Sequence, residues 1–105
     1  MTKHLASIGI YGKCVDDFDV SPFEAMHAFH LRSKLEHVSH ELTYEELMKL
    51  LSYDVRLINN AKEMSKHLAE IYDFSVSDEP LSQWWWHLDK VSNGKITFRL
   101  IPYTI

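Results

Sequence analysis

Apolar residues near the start of the chain alternate with a period of two. In "LASIGIYG", residues 5–12, Leu5 and Ser7 alternate with Ala6, Ile8 and Ile10, and a glycine closes the run. Side chains of a strand point alternately to its two faces, and β-branched residues are enriched in strands. The segment is therefore predicted to be a strand.

A second alternating run lies near the end of the chain. In "KITFRLIPYTI", residues 95–105, Ile96, Phe98 and Leu100 alternate with other residues, and Pro102 indicates an edge position or the end of a strand. This run is also predicted to be a strand. We expect the first and last strands to pair as an antiparallel ribbon.

Between these runs, two capping boxes predict the starts of helices. In "SPFE", Ser21 can cap a helix whose first turn contains a proline, and Glu24 completes the box; this helix is expected to reach about Glu41. In "TYEE", Thr43 and Glu46 repeat the pattern, and the following "ELMKLLS" supplies an apolar face.

Apolar residues recur at spacings of three and four from Asp54 to Tyr72, with arginine, asparagine, lysine and glutamate on the opposite face. This spacing predicts a third helix with a narrow buried stripe. The stripe consists of Val55, Ile58, Ala61, Met64, Leu68 and Ile71.

Residues 80–91 fit two structures. As a helix that stops at "NG", they place five apolar residues on one face, whereas as a strand, Trp84–Val91 pairs with Lys95–Tyr103 across the "NG" turn. The helix accounts for more of the residues and is favoured. Residues 1–105 are thus predicted to form a single α+β domain, with three to four helices packed against a small antiparallel ribbon formed by the N- and C-terminal strands.

The segment "SQWWWHLDK" contains three adjacent tryptophans, which cannot all point the same way in a regular backbone. Successive helical residues turn by about 100°, so Trp84 and Trp85 fit one face and Trp86 falls outside it, next to His87. Tryptophan is enriched in binding hot spots. The segment Trp84, Trp85, Trp86 and His87 is therefore predicted to bind a protein partner.

Charge and composition narrow the class of partner. The 105 residues carry a net charge of −4 and show no basic stripe, so a nucleic-acid partner is not expected. Asp16, Asp17 and Asp19 form an acidic stretch that is predicted to be a second contact, with a basic surface. A single cysteine and the lack of a signal-like segment or long apolar run predict a cytoplasmic protein without a membrane partner.

Four histidines, His27, His30, His37 and His40, lie on the helix predicted after "SPFE". Each pair has the i,i+3 spacing of a chelating pair, but the two pairs lie about 15 Å apart along the axis and cannot form one tetrahedral site. Neither a metal nor a cofactor is expected. Glycine-rich phosphate loops and nucleophile motifs are missing from the sequence, so catalysis is not expected.

Two sequence motifs suggest alternative functions. Arg32 and His37 have an Arg-x4-His spacing that resembles the active-site motif of HEPN-type ribonucleases, which implies an all-helical ribonuclease; that family usually has an amide or an acid after the arginine, where this chain has Ser33. Residues 41–72 resemble a helix-turn-helix with its turn at "SYD", which implies a regulator of transcription.

The prediction that these observations favour is a small non-catalytic protein-interaction module. It is expected to act through the tryptophan segment and the acidic stretch, as an inhibitor, an immunity protein or a phage-type modulator does. The same features are equally consistent with a homodimer that forms through these aromatic residues or through an open strand edge.

Overall fold

A computed structural model of the chain describes residues 3–96, which fold into five α-helices. The helices are α1 (Leu5–Cys14), α2 (Pro22–His37), α3 (Tyr44–Asn59), α4 (Ala61–Leu68) and α5 (Leu88–Ser92). Three 3-10 turns lie between them, at Ser39–Glu41, Phe74–Val76 and Trp84–Trp86. No strand occurs within residues 3–96, so the predicted α+β fold with its antiparallel ribbon is wrong.

The predicted first strand is helix α1. Its buried positions Ile8, Tyr11, Gly12 and Cys14, followed by Val15, recur at spacings of three and four residues, which is the spacing of one helical face. Ile10, which completed the alternating pattern, is exposed. The apparent period of two therefore arose from an apolar residue on the outer side of a helix.

Gly12 has a packing role that the strand prediction did not include. A Cβ atom at this position would lie 2.3 Å from Cε2 of Tyr53 on α3, far inside van der Waals contact. Glycine thus lets the two helices approach so closely that the Tyr53 ring covers the backbone of α1.

The predicted start of α2 is confirmed, but only the Ser21 half of the predicted capping box forms. The Ser21 hydroxyl accepts a hydrogen bond from the Glu24 N–H at 3.2 Å, and Pro22 occupies the first helical position. The helix ends at His37, before the predicted end at about Glu41, and the separate 3-10 turn Ser39–Glu41 follows it.

The capping box at the start of α3 is confirmed in full: the Thr43 hydroxyl accepts from the Glu46 N–H at 3.1 Å, and the Glu46 carboxylate accepts from the Thr43 N–H at 2.8 Å. The helix then continues through "SYD" to Asn59, so the predicted helix start at Asp54 is wrong. The break comes instead at Asn60, whose N–H is shared between two carbonyl groups of the last turn. The helix α4 follows at once, and its buried residues Ala61, Met64 and Leu68 belong to the predicted stripe.

Residues 80–91 form neither the long helix nor the hairpin. They contain the single 3-10 turn of the tryptophans and the start of α5, and the segment stops as predicted at "NG", where Gly94 has a positive φ of 82°. The N–H groups of Lys95 and Ile96 both donate to the carbonyl of Lys90. From residue 97 onward, the predicted second strand lies outside the described residues.

The core lies between all five helices. Helix α1 packs against α2 and α3, and α4 packs against α5. The largest fully buried side chains of the core include Trp85, Tyr11, Phe29, Ile8 and Leu57. No helix within residues 3–96 has both the length and the apolar character that a membrane span requires.

Candidate functional site

The tryptophan segment lies mostly inside the protein. In a 3-10 helix three residues complete a turn, so the three indoles of Trp84–Trp86 leave the backbone in three directions about 120° apart. Trp85 and Trp86 are buried and Trp84 is half-buried. The prediction that Trp86 faces outward is wrong, because the surrounding helices cover this turn on more than one side.

One hydroxyl group satisfies both buried indoles. The N–H groups of Trp85 and Trp86 donate to the oxygen of Ser33 on α2, at 3.0 and 2.8 Å, and Ser33 donates to the side-chain oxygen of Gln83 at 3.3 Å. A buried indole N–H needs an acceptor. Ser33 therefore fixes the position of the tryptophan turn on α2.

Neighbouring aromatic rings and His87 complete the enclosure of this turn. The Trp86 ring packs edge-on against Phe29, with 5.8 Å between centroids, and lies 5.3 Å from the Tyr72 ring. His87 is buried, and its Nε2–H donates to the carbonyl of Glu79 at 2.7 Å. Trp86 and His87 thus stabilise the fold and are not placed to anchor a partner.

A buried polar cluster lies next to the tryptophans. Arg32 donates from Nε and Nη2 to the two oxygens of Asp54, both at 2.9 Å, and from Nη1 to Glu36 at 3.0 Å. The Tyr11 hydroxyl donates to the same Asp54 at 2.7 Å, and the guanidinium carbon lies 4.2 Å from the centre of the Trp85 ring. These contacts tie α1, α2, α3 and the tryptophan turn together.

Burial and the charges in this cluster shift the pKa values of Tyr11 and Arg32. Burial raises the pKa of Tyr11 well above its usual value, and the charge of Asp54 raises it further. Burial lowers the pKa of Arg32 more than any other single cause raises it, but the hydrogen bonds and charge of Asp54 together with Tyr11 and Glu36 outweigh burial, so the net pKa is raised. Arg32 and Tyr11 therefore keep their protons, and the cluster is a structural ion pair.

The positions of Arg32 and of the "SYD" segment bear on the two alternative functions, a ribonuclease and a helix-turn-helix regulator. Arg32 is 5% exposed and directs three hydrogen bonds at carboxylates, so it is not placed to bind an RNA phosphate, while His37 is exposed at the end of α2. The "SYD" segment lies in the middle of α3 and cannot be the turn of a helix-turn-helix. Neither resemblance gains support from the arrangement of its residues.

The other candidate reactive groups are not assembled into a site. Burial raises the pKa of the Cys14 thiol, and the charges of Glu24 and Asp17 raise it further, so the reactive thiolate is disfavoured. The four histidines of the α2 region are exposed. Within residues 3–96, no group of three or more histidine, cysteine, aspartate or glutamate side chains is arranged to hold a metal ion.

The acidic stretch lies in the connection between α1 and α2. Asp16 and Asp19 are exposed and Asp17 is half-buried. Asp17 accepts a hydrogen bond from the Asp19 N–H at 2.9 Å, and Asp16 lies 3.8 Å from Arg56 on α3. The stretch is thus at the surface as predicted, and Asp16 places it beside α3.

Helix α3 carries charged residues on its inner face. Its buried positions are Glu46, Leu50, Asp54 and Leu57. Asp54 belongs to the Arg32 cluster, and the Glu46 carboxylate accepts the backbone N–H groups of Thr43 and, at 2.6 Å, of His4. These hydrogen bonds lower the pKa of Glu46, the one from Thr43 most strongly. Both acids therefore have hydrogen-bond partners inside the protein.

The outer side of α3 carries an apolar face, which we call the α3 stripe. It consists of Tyr44, Leu47, Met48, Leu51 and Val55, whose exposed fractions range from 39% to 79%. At 100° per residue, these five side chains fall within an arc of about 100°. They are half of the large hydrophobic residues that are exposed among residues 3–96.

Sequence reasoning missed this face because it assigned the apolar residues of "ELMKLLS" to the core. Of the apolar residues in that segment only Leu50 is buried, whereas Leu47, Met48 and Leu51 are exposed. A signal was present: α3 has more apolar residues than one face can hold. The two acids that occupy the inner face, Glu46 and Asp54, could be identified only from the contacts they make.

A second apolar surface lies between α1 and the start of α2. It is a groove of about 420 Å³ lined by Ile10, Cys14, Val20 and Phe23 with polar residues at its rim. Ile10 and Phe23 are exposed there.

Comparisons with known proteins found no match: no protein-family model matches the chain, and neither a curated protein nor a solved structure is significantly similar to it.

Proposed function

We propose that this chain is a non-catalytic protein-interaction module that binds its partner through the α3 stripe. The observation that carries the proposal is the continuous apolar face of Tyr44, Leu47, Met48, Leu51 and Val55 on the surface of α3. Single exposed apolar side chains are ordinary in soluble proteins, but a contiguous row over three helical turns is typical of an interaction site.

The stripe has the form in which helices are recognised by protein partners. Its residues recur at i, i+3, i+4, i+7 and i+11, which is the pattern by which an amphipathic helix packs on another helix or in an apolar groove. Fully burying a leucine or methionine side chain is worth about 1.5–3 kcal/mol. Burial of these partly exposed side chains against a partner therefore contributes binding free energy through the hydrophobic effect alone.

The helix that presents the stripe is held in place by its inner face. The capping box fixes its first turn, the Arg32–Asp54 ion pair fixes its middle, and Gly12 lets Tyr53 pack tightly on α1. A rigid binding face loses little conformational entropy when it binds. The buried acids of α3 thus support the proposed function by orienting the apolar residues outward.

The acidic stretch supplies the polar part of the proposed surface. Because Asp16 lies next to Arg56, the loop that carries Asp16, Asp17 and Asp19 borders the C-terminal half of α3. Charges at the rim of an interface mainly steer association and select partners.

Photo-crosslinking tests the proposal directly. A photoreactive phenylalanine analogue replaces Tyr44, the most exposed residue of the α3 stripe, and in a second protein it replaces Phe23, an exposed aromatic residue of the α1–α2 groove. We expect irradiation in the native cell extract to join a protein to position 44 and not to position 23.

Two further substitutions give the matched control. Leu51→Glu adds a charge to the α3 stripe, and Ser52→Glu adds the same charge one residue along, about 100° around the helix. The crosslink at position 44 should disappear with Leu51→Glu and persist with Ser52→Glu, while circular dichroism shows both variants folded. A crosslink that survives Leu51→Glu, or none at all from position 44, contradicts the proposal.

A further inference from the structure

We propose that Asn93 is a site of spontaneous covalent modification, at which the side-chain amide is lost and the main chain is partly converted to a longer form. Asn93 caps the C-terminal end of α5, is exposed, and is followed by Gly94. Asparagine is among the thermally labile residue types. The site lies on α5 and is separate from the α3 stripe, so it goes beyond the proposed function.

The reaction needs only the chain itself and water. The backbone nitrogen of Gly94 loses its proton to hydroxide and attacks the side-chain carbonyl carbon, Cγ, of Asn93. A bond forms between this nitrogen and Cγ, the Cγ–Nδ2 bond breaks, and Nδ2 takes up a proton from water and leaves as ammonia. The product is a cyclic succinimide. Water then opens the ring at either carbonyl, which gives aspartate, or isoaspartate, whose main chain runs through the former side chain.

Gly94 leaves the attacking nitrogen accessible. Outside the adjacent residues, no atom lies within 4 Å of the position that a Cβ atom on Gly94 would take, and its own lack of a side chain keeps the approach to its nitrogen open. The Asn93 side-chain oxygen accepts a hydrogen bond from the Lys95 N–H at 3.1 Å. The amide that reacts is therefore held against the backbone that follows it.

Ring closure also needs backbone freedom, which the end of α5 provides. The ψ angle of Asn93 is 7° and must rotate to bring Cγ against the Gly94 nitrogen. Rotation breaks the hydrogen bond from the Gly94 N–H to the Val91 carbonyl, which is long at 3.3 Å. Helix α5 has five residues, too few to gain much from helix propagation, and residues 92–95 are exposed. Its last turn can therefore open while the rest of the protein stays folded.

The other two asparagines of the chain, Asn59 and Asn60, lie in a more constrained backbone. Asn59 is exposed, but the Asn60 nitrogen that would attack it is hydrogen-bonded to two carbonyls of α3, both at 3.1 Å. Each of the two is followed by a residue with a side chain. Rotation at either would also displace α4, which begins at the buried Ala61. Exposure alone therefore does not distinguish Asn93, whereas the following glycine and the helix end do.

Both products change how the chain leaves α5. Each places a carboxylate at the C-terminal end of the helix, where the helix dipole disfavours negative charge. Isoaspartate also adds a methylene group to the main chain between α5 and Lys95. The N–H groups of Lys95 and Ile96 donate to the Lys90 carbonyl at 2.9 and 3.0 Å. We expect the longer connection to break these hydrogen bonds and to release residues 95 and 96 from α5.

Peptide mapping of the aged chain tests the proposal. The full 105-residue protein is incubated at neutral and at mildly alkaline pH, and a sample digested without incubation gives the background. Trypsin, which cuts after lysine and arginine, releases Asn93 in residues 91–95 and both other asparagines in residues 57–62. Mass spectrometry should find an –OH group in place of –NH2 in residues 91–95, as two chromatographic species, and no change in residues 57–62. The rate should rise with hydroxide concentration.

Two variants and a peptide complete this experiment. Asn93→Gln should abolish the change, because ring closure from the longer side chain is much slower. Asn60→Gly gives Asn59 the same following residue inside a longer helix, and Asn59 should still react more slowly than Asn93. A synthetic peptide of residues 91–95 is incubated in parallel. The proposal is overturned if this peptide converts while the folded chain does not, or if Asn59 in the Asn60→Gly variant reacts as fast as Asn93.

Amide hydrogen exchange tests the consequence for the chain. After conversion, the Lys95 and Ile96 amides should exchange faster than in fresh protein, while exchange in α1 to α4 stays the same. Asn93→Asp adds the charge without lengthening the main chain, so it should raise these two exchange rates less than isoaspartate does. Equal exchange rates at Lys95 and Ile96 in fresh and converted protein would overturn the proposed release from α5.

Discussion

Arg32 on α2 and Asp54 on α3 form a two-point ion pair inside the protein, with Nε–Oδ1 and Nη2–Oδ2 distances of 2.9 Å. The two side chains are 6% and 7% exposed. Because Tyr11 donates to the same carboxylate and Trp85 lies under the guanidinium, this pair connects four separate parts of the chain.

Asp54→Ala should be strongly destabilising. It leaves the Arg32 charge buried without a partner, which costs about 3–5 kcal/mol for comparable buried pairs. Chemical denaturation monitored by circular dichroism measures the change. Asp16→Ala is the control, because it removes an aspartate from the exposed pair with Arg56 and should cost about 0–1 kcal/mol. Equal losses in the two variants would show that the buried pair adds little.

The two glycines of α1 should respond oppositely to alanine. Gly12→Ala places a methyl group 2.3 Å from the Tyr53 ring and should cost about 1–3 kcal/mol. At Gly9 no atom beyond the helix's own backbone and the adjacent residues lies within 4 Å of the added carbon, so Gly9→Ala should stabilise the helix by about 0.5–1 kcal/mol. Thermal unfolding measures both changes.

A double substitution identifies the cause of the Gly12 effect. When Tyr53→Ala has removed the ring, adding Gly12→Ala should stabilise the protein, as Gly9→Ala does, because only the gain in helix propensity remains. If Gly12→Ala destabilises equally with and without the ring, the contact with Tyr53 is not responsible.

The helix starts were predictable because their signals are local. Ser21 and Thr43 cap their helices with hydroxyl groups three residues from the N–H they bind, and a sequence window of four residues contains the whole motif. The strand prediction for α1 failed because Ile8 and Ile10 suggested an alternating pattern. The contact that packs α1 against α3 as a helix is made by Tyr53, which lies 41 residues from Gly12 in the sequence. Local patterns do not contain that contact.

The candidate site was less predictable than the fold. Three adjacent tryptophans suggested exposure, but their cover depends on Ser33, about 50 residues away, and on a 3-10 turn that no periodicity indicates. The exposed apolar residues of α3 were wrongly assigned to the core, because no local sequence pattern shows that Glu46 and Asp54 occupy the inner face of this helix. Only the acidic stretch, which needs no partner to be exposed, lies as predicted.

Ser33→Ala tests whether one hydroxyl holds the tryptophan turn. The substitution leaves two indole N–H groups without their acceptor and should cost about 2 kcal/mol or more, because each unsatisfied buried donor costs about 1–3 kcal/mol. All three tryptophans of the chain lie in this turn, so their fluorescence during urea unfolding reports on it. Ser52→Ala, at an exposed serine of α3, should change stability by no more than about 0.5 kcal/mol. A Ser33 variant as stable as the Ser52 variant would mean that the indoles find other acceptors.

The buried carboxylate of Glu46 should make the fold sensitive to acid. Its pKa in the folded protein is lowered from the ordinary value of 4.5, so its contribution to stability is fully present above that value and is lost as the pH falls through the lowered pKa. Glu46→Gln removes one acceptor, because an amide cannot accept from the N–H groups of both Thr43 and His4 as the carboxylate does. The unmodified chain should therefore be more stable than this variant at neutral pH, and the difference should shrink towards about pH 3. Glu45→Gln, at the exposed neighbouring position, is the control in urea unfolding. A difference for Glu46→Gln that stays constant over the whole pH range would show that the charge of the carboxylate does not stabilise the start of α3.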